Sequence, residues 1–250
     1  MICSERELQI SDEHEGIMVL PENIELGKDF SSSYGYKFLS IQLDITPNRP
    51  DAFSHLGVAR DIAAVTKREL MYENIETVPS KKELDLNIEL ENSSDCPRYI
   101  GGVIKNIQLG ESPTWLVNYM KFIGERSINN LVDISNYILF ELGHPTHIFD
   151  LDKLASKEIT VRRAIAGEKI VTLDEKEHEL NKNNLLITSG NEPIALAGII
   201  GGLSSSVTDT TKTILIESAY FNPVTIRKSA KSLFLSTEAS KRYERGVDPN

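Results

Sequence analysis

The chain has 250 residues, with 27 Lys and Arg against 37 Asp and Glu and a formal net charge of −10. That length supports one large core or two modest ones, and two domains are expected; the acidic balance excludes a protein that coats nucleic acid with its whole surface and leaves only local basic patches for such a role. Cys3 and Cys96, far apart and with no CxxC spacing, exclude a disulfide framework and a cysteine-based zinc site, no apolar run approaches the roughly 20 residues of a membrane span, and the acidic start "MICSERELQISDEHEG" is unlike a signal peptide. A reducing cytoplasm is the expected location. The first residues read like the middle of a chain and "ERGVDPN" stops without a terminating element, so a fragment of a longer polypeptide is expected.

Residues 1 to 40 are acidic and rich in loop formers, with "GIMVLP" as one short strand candidate. In "FLSIQLDIT", residues 38 to 46, Leu39, Ile41, Leu43 and Ile45 alternate with smaller or polar residues, which predicts a strand with one buried face. "PNRPD" forces a turn. The following "SHLGVARDIAAVTKREL" carries Leu56, Ala59, Ile62, Ala63 and Val65 at helical spacing, with Ser54 or Asp51 as its cap. The polar "ETVPSKKELD", residues 76 to 85, lacks periodicity and is the expected linker between a segment at 1 to 80 and a domain at 86 to 250.

From residue 86 the pattern becomes α+β, with mixed sheets and packed helices. "LNIELE" and "YIGGVIKNIQL" read as strands; Ser112 and Pro113 open a helix with Leu116, Tyr119, Met120 and Ile123 on one face, which Gly124 stops. A second helix runs from about Asn130, with Leu131, Ile134, Ile138 and Leu142 as its buried stripe, and ends at Gly143 and Pro145. Strand candidates "EITVRR", "KIVTL", "LLITSG", "IALAGIIGG" and "TILIESA" follow, then helices at "NPVTIRKSAKSL" and "STEASKRYERG". No internal repeat or low-complexity tract is present.

Three places carry candidate chemistry. In "HPTHIFD" the glycine and proline make a turn, so the i, i+4 geometry of a helical metal site is missing and no metal ligand is assigned. His147 either caps the preceding helix or orients a water near Ser135 and Asn136, and spacing leaves both open. "AGIIGG", residues 197 to 202, lacks the Walker lysine; it is either a tight turn or a place where backbone approaches a ligand closely. Glu217 ends a strand of aliphatic residues, where a carboxylate needs a partner: an ion pair with Arg227, Arg242 or Arg245, or a ligand. Those arginines with Lys228, Lys231 and Lys241 form the locally basic region, read as a solvated helix face first and a tRNA or phosphate contact second.

Four segments taken together, "LDITPNRPDAFSHLGVARDIAAVTKREL", "INNLVDISNYILFELGHPTHIFDLDKL", "AGIIGG" and "ILIESAYFNPVTIRKSAKSLFLSTEASKRYERGVDP", resemble the bacterial phenylalanyl-tRNA synthetase β subunits in order and separation. The resemblance implies part of a small N-terminal, B1-like domain over 1 to 80, following an OB-fold insertion that lies outside this sequence, and a B3/B4 tRNA-editing domain over 86 to 250. It implies hydrolysis of tyrosine misattached to phenylalanine tRNA. His147 matches the family's editing histidine, Ser135 and Asn136 stand in the place of a Thr-Asn pair, and Glu217 matches the carboxylate that recognises the tyrosine hydroxyl. Gly201 matches a pocket glycine, Thr237 and Ala239 match two small residues near the substrate, and backbone N–H groups near Gly201 and Gly202 are the expected oxyanion donors. His144 is read as incidental.

The implied partners are the synthetase α subunit in a heterotetramer of two α and two β chains, tRNA(Phe) and the tyrosyl group. No cofactor or metal is expected in this segment; ATP and Mg2+ belong elsewhere in the complex. The competing readings are a non-hydrolytic structural or RNA-binding scaffold of the same synthetase and a free-standing B3/B4-like amino-acid-binding module.

Overall fold

The computed structural model describes residues 3–8, 13–20, 22, 24–33, 41–72 and 86–249. The chain divides into two compact units, Met1–Ile41 and Gln42–Asn250. In the first, a single helical turn, α1 (Phe30–Ser33), is the one regular element among the described residues. Gly16 to Leu20 form no strand. Of the strand expected at 38 to 46, residues 38 to 40 lie outside the described residues, and 41 to 46 are irregular with Ile41 and Leu43 exposed. Their alternation has no described partner strand to bury one face. The expected linker at 76 to 85 also lies outside the described residues.

The second unit opens with a 3-10 turn at Pro50–Ala52 and helix α2 (His55–Thr66). Ser54 is its cap, accepting from Gly57 N at 3.0 Å, whereas Asp51 is taken by Arg49. Ile62 and Val65 of the apolar stripe stay exposed.

The remaining elements are α+β. A mixed five-stranded sheet has the order β1 (Asn87–Leu90), β4 (Glu158–Arg163), β7 (Leu185–Ser189), β8 (Glu192–Leu196), β9 (Ile200–Gly201); β1 and β4 are parallel and the other pairs antiparallel. A three-stranded antiparallel sheet has β10 (Thr213–Tyr220) between β2 (Arg98–Lys105) and β3 (Thr146–Asp150). Two short strands, β5 (Lys169–Val171) and β6 (Glu177–Glu179), make a separate ribbon. All five residues of β7 are buried, as a strand covered on both faces requires. The core combines Phe149 of β3 and Leu215 of β10 with Ile159, Val161, Leu186 and Ile187 of the larger sheet.

The helices follow their caps. Helix α3 (Thr114–Ile123) stops at Gly124, φ 84°; α4 (Asn130–Leu142) starts at the Asn129 side chain and stops at Gly143, φ 79°. Helix α5 (Pro223–Ser232) has proline in its first turn and Asn222 as its cap, and α6 (Glu238–Tyr243) carries a capping box between Thr237 and Ser240. Two details differ from the sequence reading. Ser112 donates to Asp133 across to α4, leaving α3 without a side-chain cap. The buried positions of α4 are Asp133 and Leu139, while Ile134 is exposed. Asp133 faces inward because it accepts from Ser112, Ser127 and Ile128 N, which fixes the rotation of the helix.

"IALAGIIGG" is a hairpin rather than one strand: Ala197 to Ile199 form the turn and Gly198 takes φ 66° there, a left-handed conformation glycine adopts without penalty. "THIFD", read as a turn, is strand β3. No helix among the described residues is long and apolar enough to cross a membrane.

One polar cluster ties these layers together. Asp95 is buried and accepts from Arg163 Nε at 2.8 Å and Thr225 Oγ1 at 2.8 Å, joining the β1–β2 loop to β4 and α5. Burial pushes its carboxyl up, but the Arg163 and Thr225 hydrogen bonds outweigh it and hold the group below its ordinary value. Asp95→Ala is expected to destabilise the fold by about 2–3 kcal/mol, below the full cost for a buried pair because Arg163 can rehydrate. A denaturant midpoint at the wild-type value would contradict this.

Candidate functional site

The site grows from the register of the small sheet. Alternation along β10 places Leu215, Glu217 and Ala219 on the face toward the larger sheet, and all three are buried. Glu217 stands directly opposite Gly101 on β2 and His147 on β3. Cross-strand partners on one face bring their side chains together, so the acid and the imidazole are neighbours. With them, a cavity of about 60 Å³ is lined by Pro145, Thr146, Gly201, Ala239, Tyr243 and apolar residues of β7, β8 and the hairpin turn.

Both titratable groups are uncharged near neutrality. Burial pushes the Glu217 carboxyl up to about 8, against a smaller downward pull from the Tyr99 hydroxyl. Glu217 is only 4 % exposed, and among the described residues its Oε2 and the Tyr99 hydroxyl each lack a hydrogen-bond partner. Among the described residues no arginine neutralises the acid. Arg242 is itself buried, bound to Glu238 and to Phe53 O, with its guanidinium over the Phe53 and Phe140 rings. Arg245 lies over Phe53 and donates to Lys241 O, and Arg227 is exposed on α5. The ion-pair reading of Glu217 is therefore corrected, and Arg242 leaves the basic surface that Arg227, Lys228 and Lys231 present to solvent.

His147 does not cap α4: it lies within β3, its ring edge-on to Phe149 with centroids 4.5 Å apart. Burial pushes its pKa down to about 4, so the imidazole is neutral and keeps an acceptor nitrogen. Gly201 is what lets the ring sit there. A Cβ at that position would overlap His147 Cε1 and Nε2 and meet Leu173 Cδ1 at 3.2 Å.

The other expected residues take supporting places. Gly202 is fixed by backbone, because a Cβ would meet Ile194 O at 2.6 Å, and its N–H donates to that same oxygen at 2.8 Å. Its N–H is thus committed to the sheet, which corrects its expected part as an oxyanion donor. Thr237 caps α6 and donates to Ile199 O at 2.8 Å, holding the hairpin turn, while Ala239 reaches the cavity. Ser135 donates to Thr146 O at 3.0 Å and so braces the start of β3; neither it nor Asn136, the next residue on α4, lines the cavity. His144 interacts with Ser218 Oγ at 3.1 Å.

A second, larger cavity of about 680 Å³ adjoins His144, Thr146 and Ser218, with Arg60 and Arg98 in its walls. It holds neither Glu217 nor His147, so size and chemistry point to different places, and the paired acid and imidazole carry the site. Sequence reasoning missed Tyr99, Thr146 and Tyr243. Tyr243 sits among cations in "KRYERG", a context that signals solvent, yet it is buried with its hydroxyl on Pro145 O and Ala219 O. Among the described residues no group of three or more His, Cys, Asp or Glu is placed to hold a metal ion.

Residues 95–250 match the family model described as B3/4 domain. The whole chain is 42% identical to the phenylalanine–tRNA ligase β subunit of Thermotoga maritima and covers 32% of it; 99% of the chain is 46% identical to that of Geobacter sulfurreducens, covering 31%. Over 93% of the chain the identity to the Carboxydothermus hydrogenoformans β subunit is 48%, covering 29% of that protein. The chain thus spans about a third of the length of these curated relatives. A solved N-terminal fragment of the phenylalanyl-tRNA synthetase β subunit from Pyrococcus horikoshii aligns with a TM-score of 0.43 and 18% identity, over 77% of this chain and 59% of that one. The chain belongs to the B3/4 domain family, in the form carried by the β subunits of bacterial phenylalanine–tRNA ligases.

Proposed function

We propose that this chain is the editing region of a phenylalanine–tRNA ligase β subunit and hydrolyses tyrosine from misacylated tRNA(Phe). The observation that supports it most is the cross-strand pair of a buried Glu217 and a half-buried His147, both neutral, on one cavity whose glycine wall leaves room for the imidazole. Its partners are the α subunit, in an assembly of two α and two β chains, and tRNA(Phe), acting in the cytoplasm. ATP and Mg2+ serve the ligation reaction in other parts of the assembly.

The chemistry follows from the protonation states. An apolar pocket separates tyrosine from phenylalanine poorly, whereas a buried group that hydrogen-bonds the extra hydroxyl separates them strongly. The neutral Glu217 carboxyl can accept from that hydroxyl through its unpartnered oxygen; when phenylalanine enters, the oxygen stays buried and unpaired, at a cost of about 1–3 kcal/mol. For hydrolysis, a water oxygen bonds to the ester carbon, the bond to the ribose oxygen breaks, and a water proton ends on that oxygen. His147 accepts a hydrogen bond from the water and aims it. An imidazole with so low a pKa is a weak base at neutral pH, so positioning supplies more of the rate than proton abstraction.

The test is deacylation of tyrosyl-tRNA(Phe) by the full αβ enzyme containing this chain, beside the His147→Ala variant. The variant is expected to lose roughly a hundredfold in kcat with its unfolding midpoint little changed. Wild-type turnover in the variant would remove His147 from the chemistry. One observation favours a scaffold instead: the cavity is smaller than the roughly 150 Å³ that admits a benzene ring, so a tyrosyl side chain enters only if a wall moves. Absence of hydrolysis by the wild type, with normal phenylalanine charging, would select the scaffold.

A further inference from the structure

Among the described residues, two buried side-chain polar atoms lack a hydrogen-bond partner: Tyr99 Oη and Glu217 Oε2. They are complementary, since a phenol donates and a carboxyl oxygen accepts. They also share one sheet face. Tyr99 on β2 pairs with Ala219, two residues along β10 from Glu217, so both side chains point toward the larger sheet. Each senses the other. Burial first and then Glu217 push the Tyr99 phenol well above its ordinary value, and the Tyr99 hydroxyl pulls the Glu217 carboxyl downward.

Two other titratable groups around this acid are committed. Cys96 donates to Arg98 O at 3.3 Å, and Tyr243 Oη donates between Pro145 O at 3.1 Å and Ala219 O at 3.0 Å. His147, opposite Glu217 on β3, is neutral and borders the cavity. Among the described residues, the Tyr99 hydroxyl is the buried side-chain donor left unpaired on the sheet face that carries Glu217. An unpaired buried donor beside an unpaired buried acceptor is costly on both sides, and a small shift that joins them relieves both.

We propose that Tyr99 is the positioning residue for Glu217: its hydroxyl bonds the carboxyl when a ligand hydroxyl engages that group, and so fixes the acid in the orientation that selects hydroxyl-bearing ligands. This rests on reading the cavity as a tyrosine-selective site. Tyr99 touches no reacting atom; it acts through the acid. A ligand without a hydroxyl leaves the carboxyl unaligned and the Tyr99 donor unmet, which deepens the discrimination that Glu217 begins.

The test is Tyr99→Phe in the full αβ enzyme, with three readouts: unfolding midpoint, the ratio of tyrosyl- to phenylalanyl-tRNA deacylation, and the Glu217 titration followed by carboxyl 13C NMR. Binding of free L-tyrosine and L-phenylalanine is measured in parallel. The variant is expected to be as stable as the wild type or more so, because an orphaned hydroxyl has gone, while the tyrosyl preference falls about tenfold or more and the Glu217 titration moves to higher pH. If the wild type does not deacylate but prefers L-tyrosine, and the variant erases that preference, the inference stands and the hydrolytic reading falls. If the wild type deacylates and the variant keeps both its preference and the titration, the inference is overturned and the hydrolytic reading stands. A destabilised variant with unchanged preference makes Tyr99 a strut and overturns the inference. A wild type with no tyrosine preference in either assay overturns both.

Discussion

Glu217→Gln is expected to flatten the stability of this protein between about pH 6.5 and 8, a window in which the wild type weakens as pH rises. In the folded state the Glu217 carboxyl holds its proton up to about 8, while an ordinary glutamate releases it near 4.5. The raised folded value means the native state binds the extra proton: its contribution is complete below about 4.5 and is lost as pH climbs to 8. His147 runs the other way. Its folded pKa is lowered to about 4 from 6.5, so the unfolded chain takes the proton first and stability is lost as pH falls from 6.5 toward 4.

Between about 4.5 and 6.5 the two slopes oppose each other; above 6.5 the acid acts alone, at about 1.4 kcal/mol per pH unit. The wild type should therefore lose about 2 kcal/mol between pH 6.5 and 8. The Gln variant, which carries no proton to release, should lose none of it from this site. Chemical denaturation across that range reads the difference directly. Equal slopes in the two proteins would mean that Glu217 is ionised in the fold and that its burial is compensated by some other group.

Gly201→Ala should remove more function than any other single methyl group added to the site. The new Cβ overlaps the His147 ring, and that ring cannot retreat freely because it lies edge-on against the fully buried Phe149. Either the imidazole swings out of place or the β8–β9 hairpin shifts, and both outcomes misplace the water that the ester needs. A displacement of about 1 Å costs on the order of a hundredfold in rate. Stability should fall by about 1–3 kcal/mol from overpacking. The double variant Gly201→Ala with His147→Ala is the decisive control: with the ring removed, the added methyl has room, so the stability loss of the first change should be largely recovered. Deacylation at the wild-type rate in Gly201→Ala would show that the ring is free to move and that the glycine is not there for it. Gly202→Ala is different in kind, since its clash is with backbone at Ile194 and strikes the sheet itself.

Local signals were legible in the sequence wherever the physics is local. Helices α3 and α4 stop at Gly124 and Gly143 as read, because left-handed terminators act within one turn of backbone, and α5 lies within the segment read as helical. Strands β7 and β10 followed from runs of aliphatic and β-branched residues, and the order of four extended motifs was enough to indicate the family. Where a segment's fate depends on a partner, the sequence was silent. The alternating residues at 41 to 46 form no strand among the described residues, and Ile62 and Val65 of the α2 stripe stay exposed while its other members are half-buried.

The candidate site shows the same division. His147, Glu217 and Gly201 were named from the resemblance, but each kept a plain alternative as helix cap, ion pair or tight turn, since spacing carries no information about what lies across a sheet. The antiparallel register of β3 and β10 put the imidazole opposite the acid, and the covering sheet made both groups neutral. The hairpin returning at Gly198 brought Gly201 against the ring. Arg242 could not be told from its solvated neighbours until Phe53, Phe140 and Glu238 closed around it. The sequence by itself determined the helices of the larger unit, several of its strands and the family; tertiary structure decided which extended segments pair, their register, burial and hence protonation, because those are properties of pairs of segments and of what excludes water between them.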